Sequence, residues 1–156
     1  PAVNAIYVLF DAVTGAPRAL VDGEELTLRR TGAVSALAAR SLAAPDASRL
    51  LVVGTGRLAP HLALSHALVR PLREIRVWGR RAEAAAATAR ELAAACEREG
   101  VVADVAPCAD LESAVRHADV ITCATLSRAQ CRHIAARPSP QDRDVVNCHE
   151  LTSVSR

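Results

Sequence analysis

Residues 49–60 read RLLVVGTGRLAP. An apolar run, Leu50 to Val53, enters Gly54-Thr55-Gly56, and a small residue follows at Ala59. Gly54-x-Gly56-x-x-Ala59 has the spacing of a dinucleotide-binding turn, with alanine in its third place. The first glycine permits the tight turn from strand to helix. The second lets backbone approach a pyrophosphate, and the third small residue lets helix and strand pack closely. The N–H groups that open the helix then face the phosphates with a partial positive charge. The same residues also suit a purely structural turn in an ordinary α/β protein.

One helix's length further on, residues 75–81 read IRVWGRR. An NAD site carries an acid at the end of this second strand, bound to the adenosine ribose. Gly79 stands there instead, followed by Arg80 and Arg81. An acid repels a 2′-phosphate, whereas guanidiniums attract one and grip it bidentately. The pair points to NADP(H) rather than NAD(H). The bland alternative is a solvated arginine pair at a helix start, which the helix dipole mildly disfavours.

Working outward, residues 3–10 are apolar and β-rich, residues 11–17 hold Asp11, Gly15 and Pro17, and residues 18–22 return as a second strand. From Glu24 to Ala44 leucines and alanines give a helix, stopped at Pro45-Asp46. Gly32 weakens it locally and lets a neighbour come close. Strands at 49–53, 74–78, 101–106 and 119–123 then alternate with helices at about 57–69, 81–99 and 110–117. That alternation implies an α/β, Rossmann-like parallel sheet with helices on both faces, preceded by a β-hairpin. Beyond residue 127 the periodicity stops.

In 156 residues, 51% hydrophobic, there is room for one domain with a real core. No apolar run approaches the roughly 18 residues of a membrane span, so no membrane partner is expected. A net charge of +2 and 2% aromatics give no basis for nucleic-acid binding. All nineteen basic residues are arginine, which excludes a Schiff-base or P-loop lysine within these residues. Five scattered cysteines fit free thiols in the reducing cytoplasm. Cys131-x-His133 and Cys148-His149 match no closed zinc pattern, and no metal is expected. His61 and His66, five apart, do not share a helix face. The chain starts at Pro1 inside a strand-like segment and reads as a piece of a longer protein.

With residues 28–62, LRRTGAVSALAARSLAAPDASRLLVVGTGRLAPHL, in view, the sequence resembles the ornithine cyclodeaminase/mu-crystallin family. The Arg-Thr pair opening a small-residue helix, the Ala-Pro-Asp-Ala link, the GTG strand end, VWGR and the ITCAT segment carry the resemblance, which covers about residues 1–127. It implies residues 1–23 as the edge of a substrate and dimerisation domain, 24–127 as the NAD(P)-binding Rossmann domain, and 128–156 as an irregular tail. It also implies a homodimer in the full-length form. Members cyclise and deaminate ornithine, reduce cyclic imino acids or oxidise amino acids; mu-crystallin-like members bind NADPH.

Carried over residue by residue, Arg30 matches the arginine between substrate carboxylate and cofactor phosphate, with Thr31 beside it as a hydroxyl donor. Gly54, Thr55, Gly56, Arg57, Leu58 and Ala59 match the phosphate loop, Arg80 and Arg81 the ribose end, and Thr125 the nicotinamide-side ribose. Ala2 replaces a cofactor-binding threonine of many relatives. The upstream cationic substrate residues and the downstream catalytic aspartate of relatives have no counterpart. Asp142 and Asp144 lie in an aperiodic, Pro-flanked stretch and are not assigned that role. The shift after residue 127 reads as a frame change or a truncation. The implied activity is hydride transfer at the carbon of a small amino or imino acid, in a cyclodeaminase or a pyrroline-2-carboxylate reductase. The alternatives are an NADPH-binding protein without turnover and an inactive fragment.

Overall fold

The computed structural model describes residues 5–125. Strand β1 (Ile6–Phe10) pairs antiparallel with β2 (Pro17–Asp22), with Tyr7 opposite Val21 and Val8 opposite Leu20. The turn closes on Asp11, whose carboxylate accepts the N–H groups of Val13 (3.0 Å) and Thr14 (2.8 Å). Every residue of β2 is exposed.

Helix α1 (Gly23–Leu42) starts at Asp22, whose side chain accepts from the backbone of Glu24 (2.8 Å) and Glu25 (3.1 Å). Two acids in its first turn complement the helix dipole. It ends before Pro45, which disfavours helical backbone in the residue ahead of it. Its buried face is Gly23, Gly32, Ser35, Ala36 and Ala39, small residues that let α2 (Leu58–Val69) lie close. A Cβ on Gly32 would stand 2.6 Å from the Ser65 hydroxyl and 2.9 Å from the His61 carbonyl oxygen. The neighbour that the glycine admits is α2.

The remaining elements are β3 (Arg49–Val53), β4 (Glu74–Trp78), α3 (Ala82–Arg98), β5 (Asp104–Cys108), α4 (Leu111–His117) and β6 (Val120–Cys123). The sheet runs β5-β4-β3-β6 with every pair parallel. The chain winds outward from β3 through β4 to β5, then crosses back to place β6 on the other side of β3. Between β3 and β6 lies the switch point at which open α/β sheets bind ligands.

Strand β5 begins later than residue 101. Gly100, at φ +71°, ends the α3 turn, and the Val101 N–H folds back onto the Cys96 carbonyl (2.9 Å). Val102 is 94% exposed, and pairing starts only at Asp104 opposite Glu74. Pro107 is accommodated because β5 is an edge strand among the described residues.

On one sheet face Leu50, Val52, Ile75, Val77 and Val120 pack with Ala59, Ala63 and Ala67 of α2 and with Ala89, Leu92 and Cys96 of α3. On the other, Leu51, Val53, Ile121 and Cys123 pack with Trp78, Cys108 and Leu111, Ala114 and Val115 of α4. Helices therefore cover both faces. Outside the first layer, α1 is locked to α2 by buried polar groups. Ser35 Oγ and His66 Nε2 are 2.9 Å apart, and Arg70 donates to the carbonyls of Ala39, Ala43 (2.5 Å) and Ala44 (2.8 Å) at the end of α1. At the N-terminal edge of the sheet, Asp119 accepts from the backbone of Ser48 (3.1 Å) and Arg49 (3.0 Å) and from Arg49 Nε (3.1 Å). That clamp fixes β6 against β3 far from the switch point. No helix among the described residues is long and apolar enough to cross a membrane.

Candidate functional site

Gly54 leaves β3 at φ +125°, and a Cβ there would stand 2.4 Å from the Ala124 carbonyl oxygen. Its N–H donates to the Trp78 carbonyl (2.8 Å), while Ala124 N–H donates to Val53 (2.8 Å). Gly54 is thus wedged between the ends of β4 and β6. Gly56 is different, since a Cβ there would meet only the Ala124 oxygen at 4.0 Å. The first glycine serves the turn, and the second leaves space above it.

Arg57 then caps α2 without a side-chain hydrogen bond to the helix start, and no acid lies in the first turn. Ala59 is fully buried beneath the loop, its N–H on the Gly56 carbonyl (2.9 Å). At the end of β4, a Cβ on Gly79 would stand 2.5 Å from Thr55 Cγ2. The side chain of the loop threonine fills the space above the second strand's end. Arg80 and Arg81 follow, both exposed, and Arg81 opens α3.

These segments enclose an open cleft of about 730 Å³ at the switch point. The structure brings Gly54, Thr55, Gly56, Arg80, Arg81 and Thr125 together along its wall. Val53, Trp78, Gly79 and Ala124 complete the lining, which holds no acid among the described residues. Trp78 and Ala124 are absent from the residues singled out by sequence. The signal for Trp78 was its place as the last residue of β4, opposite Val53 in the parallel register.

Other candidates lie off the lining. Ala59 packs under the loop, Leu58 begins α2, and the Arg57 guanidinium pairs with Glu24 of α1. Arg30 is exposed on α1, and the Thr31 hydroxyl donates to the Thr27 carbonyl within the helix (2.7 Å). Ala2, Asp142, Asp144, the Cys131/His133/Cys148/His149 set and the 128–156 tail lie outside the described residues. Burial pushes the thiols of Cys96 and Cys108 up, away from the reactive thiolate. His66, buried beside Ser35 and Arg70, is held down to about 4 by its burial and then by the Arg70 charge, so it is neutral near pH 7.

A sequence profile of the ornithine cyclodeaminase/mu-crystallin family matches residues 1–137. The chain belongs to this family. Among its relatives, a Delta(1)-pyrroline-2-carboxylate reductase of Paracoccus denitrificans is 36% identical over 82% of the chain and 39% of that enzyme. The structure of the Thermococcus litoralis Delta(1)-pyrroline-2-carboxylate reductase with NADH and L-proline superposes at a TM-score of 0.67, with 28% identity, over 78% of the chain and 36% of the reductase. An archaeal alanine dehydrogenase dimer with bound NAD gives 0.66, with 30% identity, over 82% of the chain and 38% of its own. The chain thus spans less than two-fifths of the length of these relatives.

Proposed function

We propose that this chain is the NADP(H)-binding part of a family enzyme that transfers hydride at the carbon of a small amino or imino acid, of the pyrroline-2-carboxylate reductase or ornithine cyclodeaminase type. The observation that carries the reading is the cleft at the β3/β6 switch point, with open space above Gly56, two arginines at its far end and no acid in its described lining. A nicotinamide dinucleotide fits these residues. Gly54 and Gly56 supply close backbone approach, the uncapped start of α2 receives the pyrophosphate, and Arg80 with Arg81 receives a 2′-phosphate. The bound cofactor would supply the hydride chemistry. The chain's own residues bind and orient it, and Thr125 borders the nicotinamide-side ribose. Arg30, on the exposed side of α1, is assigned to the substrate carboxylate.

Residues 1–23 belong, in this reading, to the edge of a second domain, since a two-stranded hairpin exposed along all of β2 is marginal alone. The dimeric alanine dehydrogenase neighbour supports a homodimer for the full-length form. Free Cys96 and Cys108 favour a reducing, cytoplasmic setting. An NADPH-binding protein without turnover is the second reading.

Trp78, the sole tryptophan, lines the cleft and serves as reporter. Titration with NADPH should change its emission saturably, and NADH should do so only at higher concentration. Binding of neither nucleotide would remove the nucleotide reading. Steady-state assay with NADPH and a cyclic imine separates an enzyme from a carrier without turnover.

A further inference from the structure

Arg57 follows directly on Gly56 and caps α2, so it is the arginine within the phosphate loop itself. Its guanidinium does not face the cleft lining; Nη1 makes a close ion pair with Glu24 Oε1 in the first turn of α1. Glu24 is the more buried partner, with 26% of its side chain exposed against 65% for Arg57. Its backbone is pinned as well, because its N–H donates to the Asp22 carboxylate (2.8 Å). The acid is therefore the more confined member of the pair and the arginine the freer one. Glu24 also borders a second cavity of about 750 Å³, lined with Ile6, Leu20, Val21 and Asp22 at the hairpin–α1 junction.

We propose that Glu24 restrains cofactor affinity by holding Arg57: a bound dinucleotide diphosphate takes the guanidinium from Glu24, and the hairpin–α1 junction is released as it does so. This rests on the nucleotide reading of the cleft. A carboxylate and a diphosphate draw on the same guanidinium, and a guanidinium already neutralised by an acid contributes less field at the start of α2. Arg57, with 65% of its side chain exposed, turns more freely by side-chain rotation than the more buried Glu24. Glu24 is thus a positioning residue, acting on the cofactor through Arg57.

The test is nucleotide titration of the 156-residue chain and its variants by Trp78 emission, with hydrogen exchange at residues 5–27 read with and without NADPH. Glu24→Gln keeps the size and removes the charge, and should tighten NADPH about twofold to fivefold, the range of a partly exposed ion pair. Glu24→Asp keeps the charge and should not tighten it. Exchange at residues 22–27 should rise on NADPH binding in the unmodified chain, and this rise should shrink in Glu24→Gln. A purely structural role for the pair would make both variants neutral or weaker. Unchanged or weaker binding in Glu24→Gln, with the unmodified chain binding normally, overturns the proposal. Absence of binding in the unmodified chain overturns the nucleotide reading and the restraint together.

Discussion

Gly79 lies under Thr55: a Cβ on the glycine would come within 2.5 Å of the threonine methyl. The end of β4 is therefore covered from above by the Thr55 side chain. Removing that methyl leaves only contacts of 3.5 Å and 3.6 Å, which are ordinary packing distances.

Gly79→Ala should accordingly destabilise the chain by about 1–3 kcal/mol, the usual range for overpacking. In a Thr55→Ser background the same substitution should be nearly neutral. Urea unfolding of the four species forms a double-mutant cycle, and additive losses would show that Thr55 is not what confines the glycine.

The glycines of the turn separate in the opposite sense. Gly54→Ala forces a side chain onto φ +125° and into the Ala124 carbonyl, so it should reduce folding stability by several kcal/mol. Gly56→Val fills space that meets only one atom at 4.0 Å, so circular dichroism and melting should change little. NADPH binding should nonetheless be lost, because the valine occupies the approach of the pyrophosphate. Retained NADPH affinity in Gly56→Val would make the GTG turn structural.

Much of the fold was legible because its signals are local. The run Leu50–Val53 into GTG and the alanine-rich α3 each declare an element through local pattern alone, whereas the Asp22 cap emerged only with the structure. Strand β5 was displaced because its start is set by pairing with β4, a partner distant in sequence. Within the site, the residues that border the cleft are mostly those of the two glycine segments, which a strand–turn–helix reading places directly. Trp78 and Ala124 became visible only once β3, β4 and β6 lay side by side. The buried His66–Ser35 pair had no sequence signal, since its partners lie 31 residues apart on crossing helices.

That pair gives a pH dependence. His66 titrates at about 4 in the fold against 6.5 when free, so the folded state prefers the neutral ring. Its contribution is complete above pH 6.5 and is lost as pH falls towards 4. By linkage the loss reaches about 3 kcal/mol, at about 1.4 kcal/mol per pH unit. Urea unfolding at pH 7 and 4.5 should show a fall that is smaller in His66→Gln. An identical fall in both would place the titrating group elsewhere.

In the proposed function, Arg80 and Arg81 turn the cleft towards the phosphorylated cofactor. The most direct measurement is the paired titration of NADPH and NADH, by Trp78 emission, for the unmodified chain and the Arg80→Ala/Arg81→Ala variant. Each charge-assisted hydrogen bond is worth about 1.5–3 kcal/mol, roughly halved at this exposure. NADPH affinity should therefore fall about tenfold to a hundredfold, with NADH affinity almost unchanged. Equal losses for the two nucleotides, or none for either, would contradict it.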